Sequence, residues 1–191
     1  MKPHRFTAKK HNLICILKNS ENFFNKLKIW LGGVVVAKGS EQLVLLYDPD
    51  RCTGCRYCEI ACSYKHYGVL SFEKARRHVA FDLEHVVFEA VQCMHCDDPV
   101  CASVCPEEAI KKDEKTGWVL INPMKCIGCR SCVVSCPMGA PQFDESLKVA
   151  VKCDFCDGDP WCAKYCSPQA IQVLPREEAL EIMKKMYEVG A

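Results

Sequence analysis

Sixteen cysteines of this 191-residue chain fall into four groups of four, and this grouping limits the possible folds more than any other feature. The first and third groups, CTGCRYCEIAC and CIGCRSCVVSC, share gaps of two, two and three residues. The second and fourth, CMHCDDPVCASVC and CDFCDGDPWCAKYC, lengthen only the middle gap. The order compact, expanded, compact, expanded is a long-range internal repeat. The groups are Cys52, Cys55, Cys58 and Cys62; Cys93, Cys96, Cys101 and Cys105; Cys126, Cys129, Cys132 and Cys136; and Cys153, Cys156, Cys162 and Cys166.

This density of cysteine indicates metal binding rather than a disulfide framework. Seventeen cysteines would suggest disulfides in a short secreted chain. Near the N-terminus, however, no apolar run of signal-peptide length precedes a small-residue cleavage site, so export is not expected. The longest apolar run, residues 29–37, is far shorter than the roughly 20 residues of a spanning helix. We therefore predict a cytoplasmic protein without a direct membrane span.

The compact spacing is typical of ligands to an iron-sulfur cubane. A cluster of four irons and four sulfides needs one thiolate per iron, and a loop with cysteines at i, i+3 and i+6 can reach three corners. The fourth corner faces away from that loop. In the bacterial pattern C-x2-C-x2-C-x3-C-P the fourth cysteine binds the other cluster of a pair. Cys62 is therefore predicted to bind a second cluster, and the sixteen cysteines predict four [4Fe-4S] clusters.

A zinc-binding structural module is a remote alternative. Zinc sites use paired C-x2-C knuckles and give no reason for a repeated cysteine three residues after the third. A nucleic-acid-binding zinc protein would also be basic, whereas the formal net charge here is only +1. Iron-sulfur chemistry is therefore favoured, and no nucleic acid partner is expected.

The sequence lacks the usual signals of a catalytic site. It contains no G-x-G-x-x-G or G-x-S-x-G motif and no histidine and carboxylate pair at metal-ligand spacing. Because each iron-sulfur cluster takes one electron, a row of clusters conducts electrons. We therefore predict an electron-transfer protein with no catalytic site of its own.

Short strands and turns connect the cysteine groups. Runs rich in Val, Ile and Phe flank turn signals such as DEKTG, which predicts antiparallel hairpins. From Pro175 the sequence PREEALEIMKKMYEVG predicts an amphipathic helix with Pro at its first position. We expect this helix to pack on its own domain, and docking to a partner is the alternative. Its apolar face would carry Ala179, Leu180, Met183 and Tyr187. The predicted strand pairs are residues 77–81 with 86–91, 109–112 with 118–121, and 142–143 with 148–151.

Several other residues could touch a cluster. His95 lies between two cysteines, but the complete cysteine set makes a histidine ligand redundant, so a supporting or surface role is preferred. Arg56 and Arg130 lie inside the compact loops, where they would either raise a cluster's potential or remain solvated. Cys15 belongs to no group and is predicted to be a buried or incidental thiol. His66, His78 and His85 are predicted to be surface or strand residues.

The strings DPDRCTGCRYCEIACSYKHYG, VQCMHCDDPVCASVCPEEAI, MKCIGCRSCVVSCPMGAPQFD and VKCDFCDGDPWCAKYCSPQAI resemble a known family. They are similar to the four-cluster ferredoxin-like subunits of the dimethyl-sulfoxide-reductase iron-sulfur type, over residues 43–175. That family includes electron-transfer subunits of formate dehydrogenases, hydrogenases, carbon monoxide dehydrogenases and tungsten aldehyde oxidoreductases. The resemblance implies four ligand sets, in each of which three cysteines of one group are joined by the fourth cysteine of another. These are set one, Cys52, Cys55, Cys58 and Cys166; set two, Cys93, Cys96, Cys101 and Cys136; set three, Cys126, Cys129, Cys132 and Cys105; and set four, Cys153, Cys156, Cys162 and Cys62.

The resemblance also implies the fold and the partners. We expect an α+β, ferredoxin-like domain over residues 43–175, built from two pseudo-symmetric two-cluster halves with short antiparallel hairpins and short helices. The C-terminal helix would occupy residues 176–191. Residues 1–42 are an N-terminal extension, either real, and then disordered, or the product of a start codon assigned too early.

The expected partners are a large catalytic oxidoreductase subunit and a ferredoxin or another redox subunit. The stretch CSYKHYG followed by SFEKARRHV favours the subunits that accompany tungsten or molybdenum aldehyde oxidoreductases and carbon monoxide dehydrogenases. A formate dehydrogenase or hydrogenase subunit is the alternative within the same class. A free-standing polyferredoxin that stores electrons is the alternative outside it.

Overall fold

The computed structural model describes residues 42–82 and 87–188. Except for Gln42, the predicted extension over residues 1–42 lies outside these residues, and so do Cys15 and His85. Gln42 itself is bound to the folded part of the chain. Its Nε2 donates to the carbonyl oxygens of Gly117 at 2.9 Å and His95 at 3.2 Å, and its own carbonyl accepts from the Arg176 amide at 2.8 Å.

The described residues form short elements separated by the cysteine loops. The strands are three to five residues long, and only the helices α1 and α5 exceed two turns. No helix among the described residues is long and apolar enough to cross a lipid bilayer. In chain order the elements are β1 (Leu43–Tyr47), α1 (Tyr57–Tyr67), β2 (His78–Asp82), β3 (Val87–Val91), α2 (Val100–Ser103), β4 (Ile110–Lys112), β5 (Val119–Ile121), α3 (Ser131–Ser135), β6 (Gln142–Asp144), β7 (Val149–Val151), a 3-10 turn (Phe155–Gly158), α4 (Trp161–Lys164), β8 (Ile171–Pro175) and α5 (Arg176–Glu188).

The strands pair into four separate two-stranded antiparallel sheets. Three of them, β2–β3, β4–β5 and β6–β7, join strands that follow each other in the chain and confirm the predicted pairs. The fourth joins β1 to β8, with Leu43 opposite Pro175 and Tyr47 opposite Ile171, and the sequence did not predict it. These short antiparallel pairs and short helices confirm the α+β class. The β1–β8 pair joins the two ends of the domain to each other.

The C-terminal helix packs on its own domain, as predicted. Helix α5 contacts β1 and β8, and Ala179 on the predicted apolar face is only 1% exposed. The side chain of Tyr187, which was placed on the same face, is outside the described residues. The helix begins at Arg176, and Pro175, which was predicted at its first position, is instead the last residue of β8.

Two separate clusters of buried side chains form the core, and each contains cysteines. The larger cluster contains Leu45, Val79, Phe155 and Ile171 together with Cys58 and Cys162, so it joins groups one and four. The smaller cluster contains Ile110, Val119 and Ala150 together with Cys132, and Cys101, Cys105 and Cys126 pack against it. Groups two and three therefore share the second core.

The largest fully buried side chain of the described residues is Phe155, which stacks on Trp118 with ring centroids 4.5 Å apart. Replacing a buried Phe by Ala removes about 3–5 kcal/mol through lost burial and an unfilled cavity. We expect Phe155→Ala to lower the melting temperature of the cluster-loaded protein clearly. Phe155→Leu, which fills most of the space, should lower it less. A melting temperature that Phe155→Ala leaves unchanged would mean that this core contributes little to stability.

Candidate iron-sulfur sites

Each compact cysteine group leads into a helix through an arginine in the left-handed backbone conformation. Arg56 has φ 59° and Arg130 has φ 63°, and each immediately precedes the first residue of its helix, α1 or α3. Both guanidinium groups lie over an aromatic ring, at 3.9 Å from Phe72 and 3.8 Å from Phe143. Each also forms an ion pair at 2.7 Å, Arg56 with Glu59 and Arg130 with Glu145. Both charges are therefore paired with carboxylates, the Arg56 pair partly buried and the Arg130 pair exposed to solvent.

Packing of helix α1 on helix α4 brings groups one and four together. Cys58 and Cys62 lie four residues apart on α1, so both point to the same face of the helix. On the other side of the contact, Cys162 lies on α4 and Cys166 follows it. The thiol of Cys58 interacts electrostatically with those of Cys162 and Cys166. Helix packing, rather than sequence proximity, therefore determines which cysteines become neighbours.

A cavity beside β1 collects the cysteines of set one. Cys52, Cys55 and Cys58 line it together with Cys166 from group four, and its empty volume is about 330 Å³. Tyr47, Arg56 and Ile171 are among the other lining residues. The fourth cysteine of the compact group, Cys62, does not line this cavity.

A second cavity collects the cysteines of set three. Cys126, Cys129 and Cys132 line it together with Cys105 from group two, and its empty volume is about 310 Å³. The rest of its wall is mostly apolar and includes Ile110, Ile121 and Ala150. In both cavities three cysteines of one compact group meet the last cysteine of an expanded group.

The cysteines of the two expanded groups show the reverse arrangement. Cys62 of group one interacts electrostatically with Cys162, Cys156 and Cys153 of group four. Cys136 of group three interacts in the same way with Cys96 and Cys101 of group two. The thiols of sets two and four are therefore also neighbours.

The chemistry of these sets suits iron-sulfur clusters. Each supplies four thiols, and burial raises the pKa of Cys58, Cys101 and Cys156 to about 11 and that of Cys62 to about 12. Such thiols stay protonated until a metal replaces the proton. Backbone amides also point at the sulfur atoms, which stabilises thiolates. These amide donors are Gly54 to Cys52 at 3.5 Å, Arg76 to Cys62 at 3.3 Å, His95 to Cys93 at 3.5 Å, Ala109 to Cys105 at 3.3 Å and Ala150 to Cys126 at 3.4 Å.

His95 supports the site and is not at the surface. It is 2% exposed, and its Nδ1 accepts a hydrogen bond from the Val119 amide at 3.0 Å. Burial and the nearby Lys152 lower the pKa of His95 to about 3, so the imidazole is neutral. His95 therefore links β5 to the loop of group two, in keeping with the predicted supporting role.

The structure corrects the prediction that His66 is a surface or strand residue. His66 lies on helix α1 and is largely buried. Its side chain is 10% exposed, and its Nε2 lies 3.7 Å from Cys156 Sγ and 3.4 Å from Asp154 Oδ1. Because Cys156 belongs to set four, this trio is part of the same site and not a separate metal centre. No sequence signal pointed to it, since His66 and Cys156 are far apart in the chain. His78 is a strand residue in β2, as predicted.

Two buried cations near the cysteines were also missed. Lys152 is 3% exposed, and its Nζ donates to Cys93 Sγ at 3.2 Å, to the Cys153 carbonyl at 3.3 Å and to the Val119 carbonyl. Arg77 is 2% exposed. In the sequence, Lys152 lies directly before Cys153 and Arg77 begins a predicted strand. Neither position by itself indicates that the side chain is buried.

Comparison with known proteins identifies the chemistry. Two 4Fe-4S dicluster domains match, over residues 51–109 and 84–176, and together they imply four [4Fe-4S] clusters. The family match favours iron-sulfur over the zinc alternative.

Curated relatives share most of their length with this chain. The polyferredoxin-like subunit of an aliphatic sulfonate oxidoreductase from Pyrococcus furiosus is 34% identical over 164 residues, which cover 77% of this chain and 94% of the relative. One of the component chains of anaerobic dimethyl sulfoxide reductase from Escherichia coli is 36% identical over 162 residues, covering 75% and 77%. The thiosulfate reductase electron transfer subunit from Salmonella typhi is 35% identical over 144 residues, covering 72% and 74%.

These relatives are subunits of oxidoreductase complexes, which implies a catalytic partner subunit. They also confirm the resemblance to the dimethyl-sulfoxide-reductase iron-sulfur type. The chain therefore belongs to the 4Fe-4S dicluster family of electron-transfer iron-sulfur subunits.

Proposed function

We propose that this chain carries single electrons along four [4Fe-4S] clusters between a catalytic oxidoreductase subunit and a redox carrier. The observation that carries this proposal is the exchange of cysteines between groups, in which Cys166 and Cys105 line the cavities of groups one and three. Exchanged ligands link neighbouring clusters through short stretches of the same chain. A linked row of one-electron centres conducts electrons and needs no substrate site of its own.

In this proposal each of the four sets binds one cluster. The cavity of set one and the cavity of set three each contain four thiols from two groups. The electrostatic interactions of Cys62 and Cys136 support sets four and two. All sixteen grouped cysteines then serve as ligands.

The interactions between sets suggest the order of the row. Cys58 of set one interacts with Cys162 of set four, and Cys153 of set four interacts with Cys93 of set two. Helix α2 carries Cys101 of set two and packs on α3, which carries Cys132 of set three. The proposed order is therefore set one, set four, set two, set three. The two cores, one around groups one and four and the other around groups two and three, would be the two pseudo-symmetric halves.

The ends of this row are the proposed points of electron entry and exit. Cys55 of set one and Cys129 of set three are both exposed, as is Cys96 of the interior set two, whereas three cysteines of set four, Cys62, Cys156 and Cys162, are buried. Electron transfer to a partner needs a short distance from cluster to surface. The catalytic subunit and the carrier are therefore expected to dock near sets one and three, one at each end.

The catalytic partner is proposed to be a tungsten or molybdenum enzyme of the aldehyde oxidoreductase type, in the cytoplasm. The support is the sequence CSYKHYG with SFEKARRHV, whereas the relative from Pyrococcus furiosus is named as a subunit of an aliphatic sulfonate oxidoreductase and supports only an oxidoreductase partner. Other relatives are named as subunits of dimethyl sulfoxide and thiosulfate reductases, so reductases of these kinds are further candidate partners. A formate dehydrogenase or hydrogenase subunit remains the alternative within this class.

Affinity purification tests whether the chain is a subunit. The chain, tagged at one end and isolated without oxygen from its native cells, is expected to retain a larger protein that contains tungsten or molybdenum by elemental analysis. A tagged double variant, Cys129→Ser with Cys55→Ser, serves as the control. It tests whether retention of the larger protein depends on intact clusters at the two ends of the row. Purification of the chain alone, with its clusters intact, would favour the free-standing polyferredoxin instead.

A further inference from the structure

Arg77 is a buried cation without an oxygen or nitrogen acceptor in the described part of the chain. The residue is 2% exposed and directly precedes strand β2. Its Nε, Nη1 and Nη2 are all buried and have no oxygen or nitrogen acceptor there, and the one side-chain partner within their reach is the Cys162 thiol. A buried guanidinium is costly unless its charge is compensated, so these donors indicate a missing anionic partner.

No carboxylate is among the main electrostatic partners of Arg77 within residues 42–82 and 87–188. The adjacent Arg76 forms an ion pair with Asp154 at 2.5 Å, and the buried Glu59 is paired with Arg56. The other buried cation, Lys152, differs from Arg77 because its ammonium donates to backbone carbonyls as well as to Cys93. Arg77 has no backbone carbonyl partner of this kind among the described residues.

The groups that interact most strongly with the buried Arg77 guanidinium are thiols of two different sets. Its main attractive electrostatic interactions are with Cys162 and Cys153 of set four and with Cys58 of set one. Four thiolates on an oxidised cubane core leave each cluster with a charge of about −2. Two bound clusters would therefore provide the anionic partners that the described residues do not.

We propose that Arg77 is the shared counter-cation of the clusters of set one and set four and raises the reduction potential of both. This inference rests on the ligand sets of the proposed function. Reduction adds a negative charge to a cluster, and a fixed positive charge in a buried, weakly screened position favours that step. Because arginine stays protonated at any ordinary pH, the effect does not depend on titration.

The test is a redox titration of the cluster-loaded protein followed by electron paramagnetic resonance. Arg77→Met is expected to lower the potentials of two clusters, so that their oxidised-to-reduced ratio at a fixed potential rises at least about tenfold, equivalent to about 59 mV for one electron. The other two clusters should not shift. Serine variants at Cys55 and Cys156 identify the signals of sets one and four.

Two further variants separate charge from structure. Arg77→Lys retains the charge and should restore most of the potential. Arg130→Met removes an arginine whose side chain is 52% exposed and paired with Glu145, so it should leave sets one and four unshifted. If Arg77→Met does not assemble its clusters, Arg77→Gln is used instead, because it is neutral but keeps an amide donor. It should lower the potentials of the same two clusters. Should both neutral variants lose only the clusters of sets one and four while Arg77→Lys keeps them, the counter-cation role is supported.

Other outcomes would overturn the proposal. These are unshifted potentials in the neutral variants, an equal shift of all four clusters, an Arg77→Lys shift as large as that of Arg77→Met, or loss of all four clusters in every Arg77 variant. Failure of the proposed function is distinguishable, because fewer than four clusters would appear in the unmodified protein, and a wrong ligand assignment would make the Cys62→Ser spectrum match that of Cys55→Ser instead of that of Cys156→Ser. Four clusters in the unmodified protein with no shift in the Arg77 variants would contradict only the role of Arg77.

Discussion

Removal of iron is expected to unfold most of the domain. Sixteen proposed ligands lie between Cys52 and Cys166, and the strands in this range have only three to five residues. Structural zinc contributes about 10–16 kcal/mol in small domains, while whole domains are stable by only about 5–15 kcal/mol. Both cores also contain cysteines, and these would become buried thiols around empty space. Circular dichroism of iron-free protein should show little far-ultraviolet strand and helix signal and no near-ultraviolet signal.

Anaerobic reconstitution is the control for this experiment. Addition of iron and sulfide to the same sample should restore both circular dichroism signals together with the visible absorption of the clusters. Native-like far- and near-ultraviolet spectra in the iron-free protein would show that side-chain packing alone holds the fold.

Cys62→Ser is expected to damage the cluster of group four and leave the cluster of its own group intact. Cys62 is buried on α1, and its thiol interacts with Cys162 and Cys156, whereas Cys166 lines the cavity of set one. Loss of one ligand often converts a four-iron cluster into a three-iron cluster, which has a distinct paramagnetic resonance signal. The spectrum of Cys62→Ser should therefore match that of Cys156→Ser and differ from that of Cys55→Ser.

A matched control is available in the one cysteine outside the groups. Cys15→Ser removes a thiol but no proposed ligand, so all four clusters should keep their spectra. If the Cys62→Ser spectrum instead matches that of Cys55→Ser, the exchange of cysteines between groups one and four is wrong.

The hairpins could be predicted because they are local. Strands β4 and β5 are separated by a short turn that ends in Gly117, which adopts φ 71°, a backbone conformation that favours glycine. The length of this turn then determines the register, in which Lys112 lies opposite Val119 and Ile110 opposite Ile121. Strands β1 and β8 are also rich in apolar residues, but they lie at opposite ends of the domain sequence and pair across almost all of it. No local signal specifies such a pair, so the sequence did not predict it.

The environment of the sites was harder to predict than the ligands. Arg56 and Arg130 were identified from their position in the compact loops, but the aromatic rings and carboxylates that hold them come from later in the chain or across a helix turn. His66 was assigned to the surface because its partner Asp154 is remote in sequence. Burial of a polar side chain depends on which elements pack over it, and the residue's own neighbours do not record that.

The sequence by itself determined the metal chemistry and the family. Cysteine spacing carries this information because a loop with thiols at i, i+3 and i+6 has the geometry of three corners of a cubane. Only the tertiary structure decided where the exchanged cysteines lie relative to their neighbours and which cations are buried among them. The packing of α1 on α4 brings Cys62 to Cys162, and Arg77 is buried where it interacts with Cys162 and Cys58. Such contacts arise from the simultaneous burial of many side chains distant in sequence, and the spacing within one group cannot encode them.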